Sequence, residues 1–243
     1  MRAPRSKPTF SVVIPTLQRS VELHPLVAMC AAHPLVTEVL VVNNATVPLE
    51  WDSPKVRVLQ QKQNIYVNPA WNLGARVARG EFLAIINDDV LFDPEVFDYT
   101  HRLLRLPWVG MVGFDGVFMN RGPAPLTHRL ATYEHVALGF GMFMALRTSE
   151  YTPIPEDMLI WGGDDWLFLK SPRPNFVLHG GDFATEVSVT SSSPEFQELR
   201  KKELARAERH LARLKDTRWW HAPAAALARV RHERHRWNNR RST

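Results

Sequence analysis

The sequence predicts an α/β protein with an open, doubly wound, mixed sheet and a basic helical extension at its C-terminus. Short β-branched runs alternate with stretches of helical pattern in the order β-α-β-β-α-β over the first 90 residues. These runs are nearly continuous in apolar residues, which is typical of strands covered on both faces. A chain of 243 residues, 45% of them hydrophobic, is long enough for one such domain.

The first strands and helices follow one another in a regular order. Strands are predicted over residues 10–14, 38–42, 55–60 and 82–86, and Pro15 is expected to end the first. Helices are predicted over residues 19–32 and 68–79, the second with Pro69 in its first turn, where proline is tolerated.

Polar side chains stand at the carboxyl ends of these strands. They are Thr16, Asn43, Asn44, Asp88 and Asp89. In a doubly wound sheet, ligands bind beyond the carboxyl ends of the strands. Adjacent carboxylates are costly to bury unless a positive group pairs with them. The pattern therefore predicts a ligand site at this edge, with a cation or positive group near the two aspartates.

The second half contains fewer regular elements. A Gly- and Met-rich strand is predicted over residues 139–146, and a proline-rich loop leads to "WGGDDW" at residues 161–166. A further strand ends near His179, in "VLHGGDF". We therefore place one domain at residues 1–193 and a helical extension at residues 194–243.

The extension has an amphipathic pattern that is interrupted once. Apolar side chains recur at helical spacing from Pro194 onward. They are Phe196, Leu199, Leu204, Ala207, Leu211 and Leu214. Trp219, Trp220 and Pro223 interrupt the pattern, and a second basic segment carries Leu227, Val230 and Trp237. We expect the first helix to pack on the domain and the segment after Pro223 to form a free arm.

Charge is distributed unevenly between the two parts. Residues 196–243 contain 14 Lys+Arg and 5 Asp+Glu, whereas residues 1–195 contain 16 and 20. A basic segment of this kind suits an anionic membrane surface or the phosphates of DNA, and a solvated helix face is the third alternative. Sequence alone leaves the three open.

The expected location is cytoplasmic, with peripheral attachment to the inner membrane face if the extension meets lipid. Cys30 is the single cysteine, so no intramolecular disulfide can form. The N-terminal segment lacks the apolar region of a signal peptide. No apolar run approaches the roughly 18 residues of a spanning helix.

Four segments together resemble glycosyltransferase family 2, whose members are inverting enzymes with the GT-A fold. They are "VVIPT" at residues 12–16, "VVNNAT" at 41–46, the 28 residues from Gln63 to Val90, and "WGGDDW". The 28-residue stretch is the most specific, because four short motifs follow one another there in the family's order. They are Asn64-Ile65-Tyr66, Asn72-Leu73-Gly74, Ala78-Arg79-Gly80 and, at the strand end, Asn87-Asp88-Asp89. The resemblance implies a GT-A fold and a nucleoside-diphosphate sugar as donor, with a UDP-sugar favoured. The implied nucleotide-sugar contacts are Pro15, Thr16, Arg19, Asn43, Asn44, Asn64, Asn72 and Asp88.

The resemblance also implies a divalent cation, Mn²⁺ or Mg²⁺, on the donor diphosphate. The family's Asp-x-Asp element corresponds to Asn87, Asp88 and Asp89, so Asp89 is the expected direct ligand. His179 is the expected second protein ligand. Carboxylate oxygens suit such hard cations. Asp93 is available to cap the helix that follows, which leaves Asp89 free for this role.

"WGGDDW" resembles the Trp-Gly-Gly-Glu-Asp segment of galactosyltransferase-like enzymes with the GT-A fold. The match implies that Asp165 is the general base and that Asp164 binds the acceptor, together with Trp161, Gly162 and Gly163. An attacking hydroxyl must lose its proton, so a base is required. The expected acceptor is a glycan or a lipid-linked glycan.

Two departures from the family pattern keep other functions open. Asn43 and Asn87 stand where the family usually has aspartate, which puts the nucleotide identity in doubt and favours a non-catalytic module that binds nucleotide sugars. The basic extension favours, as another alternative, a glycosyltransferase that acts on a modified DNA base. The intact pairs at Asp88–Asp89 and Asp164–Asp165 favour the enzyme.

Overall fold

The computed structural model describes residues 9–185, 194–214 and 218–241; the side chains of residues 194–199 and 232–241 lie outside the description. The strands are β1 Phe10–Thr16, β2 Val36–Asn43, β3 Val56–Gln60, β4 Phe82–Ile86, β5 Val90–Leu91, β6 Val112–Phe114, β7 Thr127–Leu130, β8 Phe143–Arg147, β9 Phe176–His179 and β10 Ala184–Thr185. The helices are α1 Leu23–Ala32, α2 Val67–Val77, α3 Glu95–Leu104, α4 Glu134–Ala137, α5 Gly163–Lys170, α6 Pro194–Leu211 and α7 His221–Arg241.

A mixed sheet of eight strands forms the centre, in the order β3-β2-β1-β4-β8-β6-β9-β7. Strands β1, β2, β3 and β4 are mutually parallel, and β8 runs antiparallel between β4 and β6. Strand β9 is parallel to β6, and β7 is antiparallel at the edge. The carboxyl ends of β1, β2, β3, β4, β6 and β9 therefore meet at one edge of the sheet, as the sequence predicts for the ligand site.

Adjacent residues of the strands face two different cores. Val12 belongs to the apolar cluster that also contains Leu26 of α1 and Phe97 of α3. Val13, the next residue, belongs to the cluster that also contains Trp71 of α2 and Phe168 of α5. This arrangement explains why the strand sequences are nearly continuous in apolar residues.

The prediction that Pro15 ends β1 is wrong. The strand continues to Thr16, and Pro15 lies opposite Val42 of β2. Pairing of β1 with β4 stops at Val13, so the missing N–H of Pro15 costs no ladder hydrogen bond on that side. The carboxyl end of β1, and with it Thr16, therefore reaches the binding edge as part of the strand.

The C-terminal helices pack against the second core. Ala207 and Leu211 of α6 are buried there, and so are Trp220 and Ala224. The expectation of a free arm after Pro223 is wrong as far as Arg231, because Ala228 is buried and Arg231 donates a hydrogen bond to the Leu130 carbonyl. The side chains of Phe196, Leu199 and Trp237 lie outside the description. Within the described ranges, no helix has the length and apolar character needed to cross a bilayer.

Candidate active site

The ends of β1, β2 and β4 are joined by polar contacts at the binding edge. The Thr16 hydroxyl donates to Asp88 Oδ2 at 2.6 Å and accepts from the N–H of Gln18 at 2.8 Å. The Asn44 N–H donates to the Thr16 carbonyl at 2.8 Å. Thr16 thus holds Asp88 at the edge. Three residues predicted to bind the nucleotide sugar, Thr16, Asn44 and Asp88, therefore lie together there.

Asp88 and Asp89 lie between β4 and β5, half-buried rather than at a solvated loop tip. Burial raises the pKa of Asp88, against the opposing effect of the Thr16 hydrogen bond, and burial also raises the pKa of Asp89. Asp93 Oδ1 accepts from the Glu95 N–H at 3.0 Å, so Asp93 caps α3 as expected. The cap leaves the two preceding carboxylates available for another role.

The residues present fit a divalent cation in part. Asp88 and Asp89 offer the carboxylate oxygens that hard cations take. His179 ends β9 as predicted, but its Nε2 lies 3.3 Å from Asp115 Oδ2 and its ring stacks on Phe118. Among the described residues, no three or more His, Cys, Asp and Glu side chains converge on a point that could hold a metal ion. A cation at Asp89 would therefore need further oxygen ligands that these side chains do not supply.

Asn43 has no hydrogen-bonding capacity left for a nucleobase. Its Oδ1 accepts from Ala45 N–H at 3.0 Å and from Gln18 Nε2 at 3.1 Å, and its Nδ2 donates to the Val47 carbonyl at 2.8 Å and to Gln60 Oε1 at 2.7 Å. An amide side chain offers two donors and two acceptor positions. All four hydrogen-bonding positions of Asn43 are occupied, and the residue is fully buried. Its side chain therefore holds the loop after β2 in place.

Asn72 is also occupied inside the protein. Its side chain bonds the Tyr151 hydroxyl and both the N–H and the carbonyl of Ile154, at 2.7–2.9 Å. It therefore ties α2 to the loop that precedes "WGGDDW".

The other residues predicted to bind the nucleotide sugar differ in their exposure and hydrogen bonds. Asn64 is exposed and accepts from the Tyr66 N–H at 2.8 Å, whereas Asn44 accepts from the Ile65 N–H at 3.2 Å. Arg19 is exposed beside the binding edge, and Pro15 is buried in β1.

The acidic pair Asp164–Asp165 forms the first turn of α5. Gly162 precedes the helix with φ of +80°, a conformation that glycine adopts without strain. Asp164 Oδ1 accepts from the Asp165 N–H at 3.1 Å. Burial, and secondly the charge of Asp165, raise the pKa of Asp164 to about 7. A carboxyl that titrates near neutral pH suits proton transfer.

A single short turn contacts both acidic segments. Residues 140–142 form a 3-10 turn before β8, and the Met142 carbonyl accepts from the Asn87 N–H at 3.1 Å. A Cβ atom on Gly141, the residue before Met142, would lie only 2.6 Å from Asp164 Oδ2. Asn87, which directly precedes Asp88–Asp89, and Asp164 therefore both contact this turn.

Tyr133 joins this group from the loop before α4. Its hydroxyl is hydrogen-bonded to Asp165, and burial followed by this contact raises the pKa of Tyr133. The ring is still 38% exposed, so it forms part of the wall beside Asp165. Sequence reasoning missed Tyr133, and "ATYEH" contains no spacing that would have indicated it.

Asp115 is a second residue that sequence reasoning missed. It directly follows β6, is fully buried, and accepts from Arg129 at 2.6 Å and from the Val117 N–H at 3.2 Å. Burial, and next the charge of Arg129, lower the pKa of the neighbouring His179. The strand-end rule that selected Asp88 and Asp89 also applies to Asp115, since it follows the apolar run Val112–Phe114.

Comparison with known proteins gives one family match. Residues 11–129, just under half of the chain, match the family described as "Glycosyl transferase family 2". The chain thus has a fold like that of glycosyltransferase family 2. Together with the sheet, this match identifies the fold as GT-A and the protein as a glycosyltransferase. No curated protein sequence matches the chain significantly.

Solved glycosyltransferase structures share this fold. The chain is similar to residues 1–349 of TarS from S. aureus in complex with UDP-GlcNAc, with 18% identity, a TM-score of 0.55, and coverage of 85% of this chain and 69% of that one. It is also similar to the mannosyltransferase PcManGT from Pyrobaculum calidifontis in complex with GDP-Man and Mn²⁺. Here the identity is 16%, the TM-score is 0.58, and the coverage is 92% and 74%. At these identities the likeness concerns the fold of the family 2 domain.

Proposed function

We propose that the protein is an inverting, metal-dependent glycosyltransferase that moves a sugar from a nucleoside-diphosphate donor to an acceptor hydroxyl. A UDP-sugar is the favoured donor, and a glycan or lipid-linked glycan is the favoured acceptor. The observation that carries this proposal is that one turn contacts both Asn87, which directly precedes Asp88–Asp89, and Asp164, which directly precedes Asp165. One pair suits the diphosphate and the other suits the attacking hydroxyl.

Asp165 is assigned the role of general base. It stands in the first turn of α5, half-buried, with Tyr133 hydrogen-bonded to it. A positioned base typically contributes about 10²–10⁴-fold to the rate. Asp164 shares the turn and is assigned to acceptor binding, together with Trp161, Gly162 and Gly163.

The donor is assigned to the ends of β1, β2 and β4. Thr16 and Asp88 would face the nucleoside, and Asp89 would hold the divalent cation together with the diphosphate oxygens. When bound, a divalent cation supplies Lewis-acid stabilisation of the leaving diphosphate. TarS with UDP-GlcNAc and PcManGT with GDP-Man and Mn²⁺ support a nucleotide sugar and a cation as the ligand classes. With Asn43 occupied internally, the base must be read by other groups of this edge.

The basic extension is proposed to bring the protein to an anionic surface that carries the acceptor. Exposed cations on α6, on the turn that follows it and on α7 support this view, among them Lys201, Arg209, Arg213 and Arg229. Negative headgroups of a membrane attract such segments, which agrees with a lipid-linked acceptor.

Thermal-shift measurements with UDP, dTDP and GDP, each with and without Mn²⁺, test the donor site. A ligand at 100 times its Kd stabilises the folded state by about 2.7 kcal/mol, so the correct nucleotide should raise the melting temperature, and only with Mn²⁺. Asp89→Ala should abolish this metal-dependent rise. Glu95→Ala, which removes an exposed carboxylate one turn away, serves as the control. An unchanged Mn²⁺-dependent rise in Asp89→Ala would move the cation elsewhere.

A further inference from the structure

Glu203 is a buried carboxylate on α6, a helix of the basic extension. It is only 1% exposed. Its Oε2 accepts from the backbone N–H groups of Leu159 and Ile160, at 2.9 and 3.2 Å. Its Oε1 accepts from Arg206 at 2.8 Å. Buried charges need such partners, and two of them here are main-chain groups of the loop that leads to the acidic pair.

The same loop is held from its other side by α2. The Asn68 N–H donates to the Leu159 carbonyl at 2.9 Å, and Asn68 Nδ2 donates to the Met158 carbonyl at 3.1 Å. Backbone groups of residues 158–160 are therefore bound between Asn68 and Glu203. Charge-assisted hydrogen bonds to a carboxylate are about twice as strong as neutral ones, so Glu203 provides the stronger side of this clamp.

The clamp lies directly before the proposed catalytic residues. Ile160 is followed after one residue by Gly162, which precedes α5 with φ of +80°. A Cβ on Gly162 would lie 2.7 Å from the Ala207 Cβ, so α6 contacts the backbone here as well. The Trp166 N–H donates to the Gly162 carbonyl at 2.8 Å and closes the first turn of α5, which contains Asp164 and Asp165. Displacement of residues 159–162 would therefore move that turn.

We propose that Glu203 is a positioning residue: it fixes the backbone at residues 159–160 and thereby the first turn of α5, which carries the proposed base. The inference rests on the proposed function, since the positioned group is Asp165. It also gives the extension a second role, because α6 completes the active site from outside the matched family segment. A displacement of about 1 Å in a reacting group can cost on the order of 10²-fold in rate.

Three substitutions separate the carboxylate's geometry from its charge. Glu203→Ala removes the acceptor, Glu203→Asp keeps the charge but withdraws it by one methylene, and Glu203→Gln keeps an acceptor oxygen at the original reach. The expected order of kcat is Gln above Asp above Ala, with Ala reduced by up to about 10²-fold, while the Kd for UDP with Mn²⁺ stays unchanged. Glu156→Ala, an exposed glutamate of the same loop, is the control and should match the wild-type protein. The assay measures UDP release from UDP-GlcNAc.

Amide hydrogen exchange provides a readout that does not depend on activity. In Glu203→Asp and Glu203→Ala, exchange should quicken at Leu159 and Ile160, and also at Trp166, whose N–H reports the first turn of α5. Faster exchange at residues 159 and 160 with an unchanged Trp166 would overturn the positioning role, as would wild-type kcat in Glu203→Asp. Equal losses of kcat and UDP binding would instead indicate a general effect on the fold and reject the proposal. If Asp165→Asn keeps full activity, the proposed base is wrong, and the exchange pattern at Trp166 still decides whether Glu203 sets this turn.

Discussion

At the scale of single residues, neighbouring carboxylates in the same turn differ in their surroundings. Burial and the charge of Asp165 hold the pKa of Asp164 at about 7. The sequence could indicate the pair from the resemblance of "WGGDDW". It could not indicate the raised pKa of Asp164, because that shift depends first on burial in the folded protein.

Replacement of Asp164 should remove one ionisation from the pH profile. Burial and the charge of Asp165 raise the pKa of Asp164 to about 7 in the wild-type protein. Asp164→Asn cannot titrate, so the dependence of kcat/KM on pH should lose its inflection near pH 7. A pH–rate profile of the two proteins checks this change. An inflection near pH 7 that persists in Asp164→Asn would show that it belongs to another group.

Asn43→Asp should destabilise the protein rather than improve nucleotide binding. An aspartate would restore the family's usual residue, but it would place a carboxylate oxygen against the Val47 carbonyl and Gln60 Oε1. Loss of such a buried donor costs about 1–3 kcal/mol, and a protein of this size loses roughly 2–4 °C of melting temperature per kcal/mol. Thermal melting measures the change, with the exposed Asn64→Asp as control. An equally stable variant that binds UDP more tightly would show that this position is open to the base.

At the scale of elements, most strand ends could be predicted from the sequence and loop contacts could not. The apolar runs indicated β1 to β4 because strand sequences carry a local pattern. The carboxyl end of β1 was the exception, since the strand continues through Pro15 to Thr16. The same rule applies to Asp115 after β6. The rule did not indicate Tyr133 or Gly141. Their contacts with Asp165 and Asp164 form only when α4, α5 and the turn before β8 pack together.

Gly141→Ala should lower the transfer rate while leaving donor affinity nearly unchanged. The added methyl group would meet Asp164 Oδ2 at 2.6 Å and push the acidic turn of α5 away. The loss in kcat should approach about 10²-fold if the shift reaches about 1 Å, whereas Asp88 keeps its hydrogen bond with Thr16. Steady-state kinetics and UDP titration in Mn²⁺ separate the two effects.

Thermal melting of Gly141→Ala is the control, because a variant that melts like the wild-type protein has kept its fold. A drop in UDP affinity equal to the drop in kcat would show that Gly141 supports the whole edge rather than the acidic turn alone.

At the scale of the whole molecule, the extension belongs to the same core as the sheet. Ala207, Leu211 and Trp220 share an apolar cluster with Val13 of β1. Composition predicted a separate basic segment, and charge is indeed concentrated there, but charge counts do not show which face of a helix is buried. The buried side of α6 carries Glu203, a charged residue that an apolar-stripe analysis passes over.

The most direct test of the central claim measures release of nucleoside diphosphate from UDP-, dTDP- and GDP-sugars by the wild-type protein and by Asp165→Asn. The account predicts Mn²⁺-dependent release with one donor class. In Asp165→Asn the same nucleotide should still bind, but release should be slower by at least about 10²-fold. Failure of the wild-type protein to release diphosphate from any of the three classes, or equal rates in the two proteins, would contradict the account.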